Sequence, residues 1–106
     1  MTVDSEFAKI YERHVGYVVA GDLESSLADM DRDVIPAVFE GVHVPRSAVS
    51  AFKIKAIEAD GDRRIGEAVY KTKKGIIGLR SIWQTYDGRW LAYALENFPA
   101  AESDLS

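Results

Sequence analysis

The chain has 106 residues, 47% hydrophobic and 28% charged, with a formal net charge of −4 and no cysteine. This suits one small globular domain that buries roughly two thirds of its unfolded surface, and it excludes a disulfide framework and thiol chemistry. Basic residues gather only at Lys71, Lys73 and Lys74, no apolar run spans a membrane and no signal-peptide pattern opens the chain; nucleic-acid and membrane partners are disfavoured and the cytoplasm is the default compartment.

The first periodic stretch is helical. Val3, Phe7, Ile10, Tyr11, His14, Tyr17 and Val18 share one face at 3.6 residues per turn, with Glu6, Lys9, Glu12 and Arg13 to the sides and rear. Gly21 suits the helix end, and Asp22 suits the N-cap of a second helix from Leu23 to about Met30. Asp29, Asp31 and Asp33 then read as a solvated acidic turn without a calcium-loop pattern. Val34 to Val44 reads as a strand, with Pro36 marking an edge or its start. Pro45-Arg46-Ser47 is a connector. Ala48 to Ala59 alternates, placing Phe52, Ile54 and Ala56 inward against Lys53 and Lys55. A turn at Asp60-Gly61-Asp62 leads to a strand over Arg64 to Thr72, and Lys73-Lys74-Gly75 turns into the last hairpin. There, Asp87-Gly88 separates two long runs rich in aromatic and aliphatic residues, the strongest short-range hairpin signal. Ile77, Leu79, Ser81 and Trp83 share one face; Ile82 and Tyr86 lie on the other, and apolar bulk on both faces predicts that the sheet pairs with a second copy. The domain is expected over residues 1–100, with 101–106 as a fraying tail.

A first helix ending in Ala-Gly-Asp, a short second helix closing in an acidic cluster, and strands ending in Trp-x-x-x-Asp-Gly-x-Trp together resemble the nuclear transport factor 2-like superfamily. That superfamily includes ketosteroid isomerases, SnoaL-like polyketide cyclases and scytalone dehydratase. The resemblance implies an α+β fold, a curved antiparallel sheet wrapped over the N-terminal helices as a cystatin-like cone with a pocket between them. Members usually carry a third helix before the main sheet; only Pro45 to Ser50 is free to supply it.

His14 sits at the centre of the apolar helix face. At the matching place, between Arg13 and Val15, the isomerases carry a tyrosine that hydrogen-bonds the developing oxyanion. A neutral imidazole can donate to a carbonyl oxygen or take a proton. The other reading is a core histidine satisfied by a neighbour. Glu40 lies two residues beyond the position of the isomerases' base carboxylate, on the same strand face; it is either a desolvated proton acceptor or a solvent-facing edge residue. The isomerases' second donor has no clear counterpart, with Ser81, Thr85 and Tyr70 all available. Tyr11, Tyr17, Phe52 and Trp83 are expected to line the ligand, although such aromatics also serve as core. Arg80 reads either as an ion-pair partner across a dimer or as an anion anchor.

Two functions follow. One is a cofactor-free isomerase, cyclase or dehydratase acting on an apolar carbonyl compound, with His14 and Glu40 as the acid–base pair. The other is a non-catalytic small-molecule-binding or dimeric interaction module of the same fold. No metal-ligand spacing is present, so no metal is expected.

Overall fold

The computed structural model describes residues 5–45 and 48–106. The inward position expected for Val3 and the connector at Arg46-Ser47 lie outside them. Two helices, α1 (Ser5–Ala20) and α2 (Leu23–Ala28), precede four strands: β1 (Val49–Asp60), β2 (Arg63–Thr72), β3 (Gly75–Tyr86) and β4 (Arg89–Phe98). The strands form one antiparallel sheet in sequence order, so every connection is a hairpin. Register shifts between Ile54 and Ala56 in β1, and between Ile82 and Trp83 against β4, bend the sheet around α1.

The hairpin at Asp87-Gly88 forms as the sequence requires. Both residues have positive φ, 52° and 78°, and Tyr86 pairs with Arg89 across the turn. The helical stripe is also present. Phe7, Tyr11, His14 and Val15 are buried, while Ile10, Tyr17 and Val18 are half-buried. Asp22 caps α2 by accepting a hydrogen bond from the Ser25 amide at 3.1 Å.

The stripe packs on the face of β2 that carries Gly66, Ala68 and Tyr70. Gly66 allows the approach: a Cβ there would meet the Tyr11 ring, lying 2.7 Å from its Cδ1 and nearer still to Cε1. Trp83 on β3 is fully buried at the centre. Phe7, Tyr11 and His14, successive inward positions of α1, surround it at centroid distances of 5.5, 6.2 and 5.1 Å, all edge-to-face.

Two expectations are corrected. Residues 34–44 form no strand. They make 3-10 turns at Arg32–Val34 and Ala37–Phe39, separated by a cis Ile35–Pro36 bond, and Gly41 reverses the chain at φ 71°. Apolar composition suggested a strand, but Pro36 supplies no backbone donor and Gly41 takes a left-handed turn. Second, α2 stops at Ala28. Met30 instead forms a parallel bridge with Ala92, and the Asp31 amide donates to the Ala92 carbonyl at 2.8 Å. Glu102–Leu105 makes a 3-10 turn that packs on β1 and β2, on the face opposite α1.

Candidate functional site

His14 is brought to the middle of α1 and 8% exposed, with its ring edge-on to Trp83. Its Nδ1 lies 3.1 Å from Oδ2 of Asp29, itself only 5% exposed. An ionised carboxylate only accepts, so the Asp29 carboxylate selects the tautomer with the proton on Nδ1. Nε2 then carries the lone pair. This is the arrangement in which a carboxylate orients a histidine for proton transfer or ligation.

The pairing depends on the sheet. Ala92 donates its amide to the Asp29 carbonyl at 2.9 Å, and the Met30 bridge follows immediately. Pairing to β4 therefore fixes the backbone on both sides of Met30, directly after Asp29, and leaves the Asp29 carboxylate against α1. The acidic run reads as uniform in sequence, but the fold separates it. Asp31 caps the first 3-10 turn, accepting from the Asp33 amide at 2.9 Å, while Asp29 is inside. No signal within the run distinguishes them; the inward place of His14, which needs a partner, was the available clue.

A second polar chain runs beside the first. Trp83 Nε1 donates to Ser81 Oγ at 2.8 Å, and Ser81 also hydrogen-bonds Tyr11. Burial pushes the Tyr11 hydroxyl well above the usual phenol range; the nearby Tyr70 hydroxyl adds to this and the Ser81 bond opposes it. Burial raises Tyr70 as well. Both phenols stay protonated at neutral pH.

Of the residues expected at the site, Tyr11, His14 and Trp83 come together, with Asp29 as the unforeseen fourth. Glu40 does not join them. It is exposed, at the end of the second 3-10 turn, so the premise of a desolvated carboxylate on an apolar strand is overturned. Tyr17 is half-buried on α1, and Phe52, on edge strand β1, is 47% exposed. Among the described residues no ring contact links either to Trp83. Arg80 pairs within its own sheet, with Glu67 at 2.5 Å and Glu96 at 3.3 Å, and lies over the Phe98 ring.

Open volume lies elsewhere. A cleft of about 540 Å³ runs between residues 42–44 and the β2–β3 turn, lined by Val42, Val44, Ile76, Ile77 and Phe98, with His43 and Lys74 at its polar positions. Asn97 builds its wall. The Asn97 amide oxygen accepts from the His43 backbone N–H at 2.7 Å, and its nitrogen donates to the carbonyls of His43 and Gly78 at 2.8 and 3.0 Å. A smaller cleft, about 450 Å³, lies beside Arg64, Gln84 and Trp90. His14 and Glu40 line neither.

No group of three or more metal-ligating side chains occurs among the described residues. No helix among them is long and apolar enough to cross a membrane. The chain matches no protein-family model and no curated protein at a significant level.

Proposed function

We infer that the protein is a small-molecule-binding module of cone-like α+β type, with its ligand in the cleft beneath residues 42–44. One observation carries this reading. The space between helix and sheet, where the resemblance places a pocket, is filled by Phe7, Tyr11 and His14 packed around Trp83, while a cleft of about 540 Å³ opens at the Asn97 wall. Apolar walls with Lys74 and His43 at the polar positions suit a small apolar molecule bearing an acidic or carbonyl oxygen. Titrating the protein with an apolar carboxylate such as octanoate, followed by amide NMR, tests the site. Shifts centred on Val42–Val44 and Ile76–Gly78 are expected; shifts centred on His14 and Trp83 would overturn it.

The Asp29–His14 pair favours a second reading, cofactor-free proton transfer on an apolar carbonyl compound. Nε2 of His14 would take the proton and Asp29 would stabilise the imidazolium formed. Deuterium exchange into an enolisable ketone tests it: activity lost in both His14→Asn and Asp29→Asn but kept in Glu40→Gln supports it, and no exchange by the unmodified protein rejects it.

We propose separately that a homodimer forms through the row Ile65, Ile82 and Ala94 on the face opposite Trp83. These residues pair in register and are only half-buried. Sedimentation should show a dimer that Ile82→Lys dissociates.

A further inference from the structure

Three lysines of the sheet hold the tail, two of them facing its carboxylates. Lys71 Nζ pairs with Glu102 Oε1 at 2.5 Å. Lys55 Nζ donates to the Asp104 carbonyl at 3.1 Å and lies 3.8 Å from its carboxylate. Lys53 donates to the Ser106 carbonyl. The contacts fall at 102, 104 and 106, every second residue of the tail. On the sheet, Lys53 pairs in register with Val69, two residues from Lys71, so the three ammonium groups stand around Val69 on one face. Val69 is fully buried, on the opposite face from Ala68 and Tyr70. Beside it Gly78 has no side chain; a Cβ there would lie 3.0 Å from that of Ala100. The outer face of β1 and β2 is thus a shallow groove with an apolar floor and a cationic rim, in a chain of net charge −4.

We propose that this groove is a docking site for an acidic peptide segment of a partner protein, carrying carboxylates at alternate residues, and that residues 101–106 occupy it as a built-in competitor. The tail is the template for the partner: it shows the spacing and polarity the groove accepts. Its hold is releasable. Glu102 keeps 70% of its side-chain surface exposed, and the Lys55–Asp104 side chains keep 32% and 37%. Ion pairs this open to water are individually weak and screened by salt. What keeps the groove closed is the short tether through Pro99, which holds the tail at high effective concentration.

The test uses the full chain and a fluorescein-labelled, C-terminally amidated peptide of residues 101–106, read by anisotropy. In Glu102→Gln/Asp104→Asn the tail loses its charge and the lysines are freed. This variant should bind the peptide at least about tenfold more tightly than the unmodified chain, which carries the competitor. Binding should fall with salt. It should be lost in Glu102→Gln/Asp104→Asn/Lys55→Gln/Lys71→Gln, and weakened for a peptide of the same composition with its two acids adjacent. Circular dichroism confirms that each exposed substitution leaves the fold intact. The charge-exchanged pair Lys71→Glu/Glu102→Lys should restore the closed, weakly binding state. Equal affinity for the neutralised and unmodified chains, no binding to either, or indifference to the spacing of the acids would each overturn the proposal and leave the tail a structural strap.

Discussion

Gly66 and Tyr11 meet with no room between them: the Tyr11 ring occupies the place where a β-carbon on residue 66 would be. The helix sits on the sheet at a distance only glycine permits. Gly66→Ala must therefore move a ring that is itself in contact with Phe7 and Trp83. Overpacking of this kind costs about 1–3 kcal/mol. Urea unfolding should show that loss, and Tyr11→Leu in the same chain should recover part of it, because the two changes share one contact. Additive losses would mean that the ring moves freely.

Asp29→Ala should lower stability by about 1–3 kcal/mol, by leaving the buried His14 Nδ1 without its acceptor. Nitrogen NMR of His14 provides the specific readout. The unmodified protein should show the proton on Nδ1 when neutral, and Asp29→Ala should show a tautomer mixture. An unchanged tautomer would mean that the carboxylate does not direct the ring.

Alkaline pH should unfold the protein through its interior phenols. Tyr11 and Tyr70 are both raised by burial, so above the ordinary tyrosine value of about 10 the unfolded chain releases protons that the folded chain keeps. Fewer protons bound in the unfolded state means that stability falls as pH rises; below about pH 10 both states are protonated and these groups contribute no slope. Tyr70→Phe should flatten the loss above pH 10 in a melting series. A profile identical to the parent's would show that Tyr70 titrates normally.

Asn97→Ala should open one wall of the cleft beneath residues 42–44 while leaving the sheet paired. Three hydrogen bonds from this side chain tie residue 43 to β3 and β4. Hydrogen exchange should speed up at the His43 amide, with β3 amides such as Trp83 unaffected. Faster exchange throughout the sheet would instead make Asn97 part of the global fold.

What the sequence revealed, and what it hid, divides along local and non-local lines. The Asp87-Gly88 turn and the α1 stripe are written in short-range pattern, and both formed. Residues 34–44 carry strand-like composition, but Pro36 and Gly41 determine the backbone, and Glu40 turns outward with it. Asp29 was not distinguishable from Asp31 and Asp33, because its burial depends on pairing with Ala92, more than sixty residues away. The docked tail was illegible for the same reason: its partners Lys53, Lys55 and Lys71 come from two strands, and nothing local in sequence ties them to residues 102–106.

The Met30–Ala92 bridge also determines how this sheet can grow. One border, β4, is already met at Ala92 by the chain's own residues 29–31. The other border, β1, is interrupted twice in register and carries Lys53 and Lys55, two devices that discourage a foreign strand from adding on. Each border thus carries a feature that hinders templated stacking of strand on strand into fibres.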